Sequence, residues 1–91
     1  MSFKKLRSVR LPYDEQAYIH YLCRTYNRRP ESTKQRIRAL CDEIGGEYAD
    51  ILFLVMTTRK SVRRISCDKH LSESVIYEMR AHFYERFKED S

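Results

Sequence analysis

Two pairs of residues that commonly bind metals stand at helical spacing in this 91-residue chain. His20 and Cys23 are three residues apart, and so are Cys67 and His70. Together they would supply the two nitrogens and two sulfurs of a tetrahedral zinc site. The spacing fits no standard zinc finger, and a cysteine also serves as a small apolar core residue. We therefore expect packed cysteines, with no metal and no cofactor.

Catalytic chemistry would need a nucleophile with a base, or two carboxylates, converging on one pocket. The acidic pairs Asp42-Glu43 and Glu89-Asp90 are adjacent in sequence, so their side chains diverge around a helix. The two glycines, Gly45 and Gly46, form no phosphate-binding loop. These features predict a protein that is not an enzyme. The three cysteines include no Cys-x-x-Cys pair, which is typical of a reducing compartment.

Positive charge is the remaining chemical feature, and it is unevenly distributed. The net charge is +5, and residues 1–46 hold ten Lys and Arg against five Asp and Glu. Residues 47–91 hold eight of each. A basic balance indicates a polyanionic partner, because neutralised phosphates release counterions. Within the neutral half, four basic residues cluster at Arg59, Lys60, Arg63 and Arg64. They could contact phosphates or form an ordinary solvated face.

Tyrosines interleave with arginines near residues 18–29, a pattern that could stack single-stranded bases. Tyr18, Tyr21 and Tyr26 are the candidates, beside Arg24 and Arg28. Tyrosines on helical faces more often lie at the edge of a core, where the ring packs and the hydroxyl stays wet. We favour that second interpretation.

The elements that carry these residues are predicted to be helices. Apolar residues recur at i, i+3, i+4 and i+7 from Ile19 to Tyr26 and from Ile37 to Ile44. The first helix is expected over about 14–28, and the second from Ser32 or Thr33 to the Gly45-Gly46 stop. A duplicated hairpin or chance similarity would equally explain the two matching stripes.

A third helix is expected over about 47–57, apolar on nearly every side and therefore central. Periodicity alone would also allow a strand over 51–58. A single strand would lack a ladder partner, so we reject it. On this interpretation Leu54→Asp would bury an unpaired charge and unfold the domain. The predicted class is all-α, a compact bundle of about five helices ending in a helix-turn-helix.

Two short helical patterns meet across a tight turn between Ser61 and Arg80. Ser61 is placed to cap the first, with Ile65 facing inward. Ser72 restarts the pattern as a second N-cap, and the apolar residues Ile76, Met79 and Phe83 follow at spacings of three and four. Two helices joined by so short a turn form a helix-turn-helix, whose second helix can lie in the DNA major groove.

The run Ile65-Ser66-x-x-x-His70-Leu71-Ser72-x-x-x-Ile76-Tyr77 resembles the helix-turn-helix of sigma-70 region 4. Small phage and mobile-element transcriptional regulators of the ArpU/RinA type share this arrangement. The similarity covers about residues 47–88. His70 stands where the family has Gly, at a turn position that often needs positive φ. The resemblance implies double-stranded DNA as partner and regulation of transcription as function.

The expected organisation is a single domain over 1–91: a basic arm (1–12), a helical hairpin (13–46) and the region 4-like part (47–88). The arm's Lys4 and Lys5 could track phosphates or enter a minor groove. Alternatively the arm is a partly ordered terminus whose Leu6 and Leu11 pack on the core. No signal peptide or membrane-length apolar run is visible, so the chain is expected in the cytoplasm.

The candidate DNA-binding residues follow from these helices. The outer face of the second motif helix, about 73–88, is expected to carry Glu73, Ser74, Tyr77, Arg80, Ala81 and Tyr84. A serine can bond to several bases, an arginine to guanine or phosphate, and a glutamate to cytosine. The full candidate set is Arg59, Lys60, Arg63, Arg64, Ser72, Glu73, Ser74, Tyr77, Arg80, Lys4 and Lys5. The alternative function is a protein-interaction module of the same fold that docks on RNA polymerase or another regulator.

Overall fold

The computed structural model describes residues 11–89 and contains five α-helices in that range. They are α1 (Tyr13–Arg24), α2 (Glu31–Gly45), α3 (Ala49–Thr57), α4 (Val62–Lys69) and α5 (Glu73–Glu89). Single 3-10 turns follow α1 (Tyr26–Arg28) and α2 (Gly46–Tyr48). The all-α prediction is confirmed, and the apolar stretch 51–58 is helical where a strand was the alternative. None of the helices in 11–89 is long and apolar enough to cross a membrane.

The first helix ends earlier than its apolar stripe predicted. Thr25 follows Arg24, and its hydroxyl donates to the Tyr21 carbonyl at 2.8 Å. The chain then tightens into the 3-10 turn that contains Tyr26. Arg29 is extended at φ −86° and ψ 154°, as expected before Pro30. The second helix begins directly after that proline, one or two residues before the expected Ser32 or Thr33.

The double glycine ends α2 as predicted. Gly46 has φ 55° and ψ −121°, a conformation essentially restricted to glycine. Its amide donates to the Asp42 carbonyl, which closes the last turn of α2. The reversal is needed because α3 packs back against α2.

The third helix contacts each of the other four helices. Leu52, Val55 and Met56 are buried, with Leu52 fully inaccessible to solvent. Leu54 is only half-buried, although it packs against the core, so we expect aspartate to be more disruptive at position 52 than at position 54. The central position of α3 is as predicted, but part of its circumference, including Leu54, remains partly accessible to solvent.

One hydrophobic core unites all five helices. Leu11 also packs against it, as expected for this residue, and Leu6 of the same expectation lies outside the described residues. The buried apolar residues are Ile19, Leu22, Cys23, Ile37, Leu40, Cys41, Leu52, Val55, Met56, Val62, Ile65, Ile76, Met79, Ala81, Phe83, Tyr84 and Phe87.

The outer face of α5 is more buried than its sequence pattern predicted. Ala81 and Tyr84 are 8% and 1% exposed, so the expectation that they face solvent was wrong. The reason is that α5 packs against all four other helices, including α1. Toward the C-terminus of α5, the guanidinium of Arg36 from α2 lies over the Phe87 ring, 4.0 Å from the ring centroid. The outer face of α5 is therefore most open at its first turns, although His82 and Lys88 are also exposed farther along the helix.

Two ion pairs also connect the C-terminal half of α5 to α2 and α1. Arg86 forms a two-pronged pair with Glu43 of α2, at 3.0 and 3.1 Å. Lys88 contacts Glu15 of α1 at 2.6 Å. All four side chains are substantially solvated, so each pair adds about 0–1 kcal/mol. Apolar burial, rather than these pairs, fixes the position of α5.

Candidate nucleic-acid interface

Local hydrogen bonds define both ends of α4. The Ser61 hydroxyl accepts from the Arg64 amide at 3.1 Å, which confirms the predicted N-cap. At the other end His70 adopts the left-handed conformation, with φ 55° and ψ 41°. Its amide and that of Leu71 both donate to the Ser66 carbonyl. This pattern stops α4 and turns the chain toward α5.

Two serines secure the turn between α4 and α5. The Ser66 hydroxyl donates to the Leu71 carbonyl, so Ser66 links α4 to the turn by a side-chain hydrogen bond. The Ser72 hydroxyl accepts from the Ser74 amide at 3.2 Å, and its carbonyl begins the α5 ladder with Ile76. The short turn that joins α4 to α5 is thus held largely by short-range contacts.

His70 should limit stability, since left-handed backbone costs non-glycine residues roughly 1–2 kcal/mol. We expect His70→Gly to stabilise the domain by about 1 kcal/mol, raising Tm by several degrees. The matched control is Lys69→Gly in the last turn of α4, which should lower stability by about 0.5–1 kcal/mol. Thermal melts of the three proteins measure both effects. A lower Tm for His70→Gly would contradict the assigned turn.

Four basic side chains lie exposed around the start of α4. Arg59 and Lys60 precede it, and Arg63 and Arg64 occupy its first turn. The carboxylate of Asp68 lies 3.9 Å from Arg64, with both side chains more than half exposed. Such a contact is weak, so Arg64 can exchange it for a phosphate. These four residues form the basic edge, a name we keep below.

The opening of α5 presents polar side chains next to the basic edge in sequence. Ser72, Glu73, Ser74 and Tyr77 are all exposed. Arg80 differs from them: it is half-buried, and its guanidinium lies over the Tyr77 ring at 5.1 Å. Lys4 and Lys5 of the expected basic arm lie outside the described residues.

The structure brings Arg80 together with residues that the sequence did not group with it. Arg24 of α1 is close enough to Arg80 and Arg59 for their positive charges to help lower its pKa, although burial is the larger cause. Tyr84 and His20 lie in the same region. We call Arg24, Arg59 and Arg80 the arginine cluster. Its members come from three separate elements, so no sequence spacing signalled it.

The pKa of His20 is affected by burial and by the positive charges of Arg24 and Arg80. Burial is the main reason that the pKa of its imidazole falls to about 4, from an ordinary value of 6.5. The charges of Arg24 and Arg80 lower it further. The imidazole is therefore neutral at physiological pH.

The His20 pKa predicts a loss of stability on mild acidification. Unfolded His20 takes up a proton near pH 6.5, whereas the folded protein resists protonation until about pH 4. The contribution of neutral His20 to the free energy of unfolding is therefore fully present above pH 6.5, and it decreases as pH falls toward 4. Since His20 is half-exposed, we expect an effect on the order of 1 kcal/mol between pH 7 and pH 5. Urea unfolding of parent and His20→Gln at both pH values tests this, and an equal pH effect in both proteins would contradict it.

The cysteines are separated by the fold. Cys23 and Cys41 are buried in the core as expected, whereas Cys67 is exposed on α4, so the expected packing role was wrong for Cys67. Burial raises the pKa of Cys23 and raises that of Cys41 to about 12, so neither thiol is a ready nucleophile. Across residues 11–89, no three His, Cys, Asp or Glu side chains gather as a metal site would require.

The tyrosines near α1 divide between surface and core. Tyr18 and Tyr21 are exposed, at 62% and 53%, so the core-edge interpretation was wrong for them. It holds for Tyr26, which is half-buried and packs edge-on against Phe53 with ring centroids 5.0 Å apart. Tyr21 carries the Arg29 guanidinium over its ring at 5.6 Å. The C-terminal part of α1 thus presents an exposed aromatic ring with a guanidinium over it.

Comparison of the chain with protein-family models, with curated proteins and with solved structures found no match. The resemblance to sigma-70 region 4 stays an expectation, drawn from the residues between Ile65 and Tyr77.

Proposed function

We propose that this chain is a cytoplasmic DNA-binding regulator of transcription that holds duplex DNA with α4 and α5. The opening of α5 enters the major groove, where Ser74 and Tyr77 meet base edges. The basic edge contacts backbone phosphates beside the groove. The type of regulator is the one implied by the sigma-70 region 4 resemblance, including its phage and mobile-element relatives.

One observation carries the proposal: α4, which is capped by Ser61 and begins among four exposed basic residues, is joined to α5 by a short turn that Ser66 holds by a hydrogen bond. A helix pair with a short turn suits insertion of the second helix into a major groove. Phosphate contacts from the first helix would set the register of that insertion. Glu73 is compatible with such a site, since its carboxylate can accept a hydrogen bond from a cytosine amino group.

A second candidate has its own support in the exposed aromatic residues of α1. Tyr13, Tyr18 and Tyr21 are each about half exposed or more, and large exposed aromatics are enriched at protein interfaces. The C-terminal half also carries no net charge. A module that docks on RNA polymerase or another regulator would use such a surface.

Salt-dependent duplex binding separates the two functions. Labelled random-sequence duplex is titrated with the protein across a series of salt concentrations. If all four residues of the basic edge contact phosphates, log K should fall with log salt at a slope of roughly −3 to −4. Affinity without salt dependence, or no duplex binding at the lowest salt, would contradict the DNA-binding proposal and favour the protein-docking module.

A further inference from the structure

The arginine cluster is an unusual concentration of like charge for a partly buried site. Arg24 and Arg80 are half-buried, and Arg59 stands exposed beside them. Within the described part of the chain, none of the three forms an ion pair with a carboxylate. The Nε atoms of Arg24 and Arg80 are buried without a hydrogen-bond acceptor. Buried donors left in this condition cost free energy, on the order of 1–3 kcal/mol each.

We propose that Arg24, Arg59 and Arg80 together bind one backbone phosphate of the duplex, which extends the DNA interface from the helix-turn-helix onto α1. This inference rests on the proposed function, because it names a contact within the same complex. It also assigns Arg80 a contact with a backbone phosphate instead of a contact with a base edge. Arg80 lies over Tyr77 and beside α1, so it meets the DNA backbone at the edge of the groove.

The chemistry of the site favours a phosphate over other anions of the same charge. A phosphodiester offers two oxygens to planar guanidinium forks, and arginine is the side chain best suited to pair with them. Three guanidiniums converging from different elements can surround such a group. Binding would relieve the repulsion by Arg80 and Arg59 that, after burial, helps lower the pKa of Arg24.

A groove next to the cluster gives the backbone room to continue. It has a volume of about 380 Å³ and extends from Arg24 to Arg28 along the end of α1. Asn27 and Arg28 are exposed there, and Thr57 and Thr58 of the α3 terminus form the other wall. Exposed polar and basic groups along a groove can follow a sugar–phosphate chain. The DNA path would thus run from the basic edge across Arg59 to α1.

The test compares Arg24→Gln with Arg86→Gln, which removes the same charge from the α2 side of α5. On the proposed site, Arg24→Gln should weaken duplex binding about tenfold on every sequence and reduce the salt slope by about one. Its Tm in the absence of DNA should be unchanged or higher, because a buried, repelled charge is gone. Arg86→Gln should bind as the parent does.

A second measurement needs no substitution. Nuclear magnetic resonance titration of His20 in the parent protein should show its pKa rising above about 4 when duplex is bound, since the bound phosphate offsets the charges of Arg24 and Arg80, while burial continues to hold the pKa below 6.5. An unchanged His20 pKa in the complex would overturn the site.

The outcomes distinguish this inference from the proposed function. Parental binding by Arg24→Gln, together with weakened binding by Arg64→Ala, would reject the cluster and leave the helix-turn-helix as the DNA contact. A lowered Tm for Arg24→Gln that accounts for its lost binding would assign Arg24 a structural role and also reject the site. Failure of the parent to bind any duplex would overturn both proposals.

Discussion

Leu52→Asp should abolish the cooperative folding of this domain. Leu52 is fully buried in α3, the helix that contacts all the others. A carboxylate there has no partner, and such burial costs several kcal/mol or forces the group to remain protonated. Typical domains have a total stability of only about 5–15 kcal/mol, so the variant should be largely unfolded. Circular dichroism melts would show weak helicity and no sharp transition.

The matched control is the same substitution two residues later. Leu54 is half-buried, so its aspartate could turn toward water. Leu54→Asp should therefore retain a cooperative melt at a lower Tm. If Leu54→Asp unfolds the domain and Leu52→Asp leaves it intact, α3 is rotated relative to its described orientation.

The double substitution Arg63→Ala with Arg64→Ala should cause the largest loss of DNA binding. Both side chains lie exposed in the first turn of α4, where the motif would cross the phosphate backbone. Loss of two phosphate contacts should lower the salt slope by about two and weaken binding similarly on all sequences. At low salt we expect an affinity loss on the order of a hundredfold, at about 1.5 kcal/mol per charged contact. Titration of labelled duplex measures both quantities.

The control for this double substitution removes two positive charges from the C-terminal end of α5. Arg86→Ala with Lys88→Ala breaks two solvated ion pairs and should cost little stability. Because these residues lie toward α2 and α1 at the far end of α5, duplex affinity should change much less. An equal loss from both double variants would indicate that net charge alone drives binding, and would contradict a specific role for α4.

Much of the local structure was predictable because it depends on neighbours in the chain. The apolar stripe around Ile37 predicts a helix, and glycine at position 46 provides the stop. Ser61 acts as an N-cap because its hydroxyl reaches an amide three residues away. His70 shows the limit of such reasoning: its left-handed backbone was foreseeable only from the position it occupies in the motif. Helix type and the tight α4–α5 turn were thus available from short-range physics.

The end of α1 shows where local patterns compete. The apolar stripe continues to Tyr26, yet the helix stops at Arg24, and Tyr26 lies in a 3-10 turn. Thr25 and the approach to Pro30 favour a tighter turn, while Tyr26 still packs on Phe53. Periodicity identified the buried residue but not the helix boundary.

By itself, the sequence determined an all-α protein with a tight turn between its last two helices, since caps, stops and apolar spacing act over a few residues. Tertiary structure alone decided which face of α5 remains open and which arginines meet. Ala81 and Tyr84 look no more buried than Tyr77 until α1 packs over them. Arg24, Arg59 and Arg80 are distant in the chain, and only the packing of α1 against α3 and α5 brings their charges together. The physical reason is that a helical face has many possible neighbours, and the shared core selects one set of them.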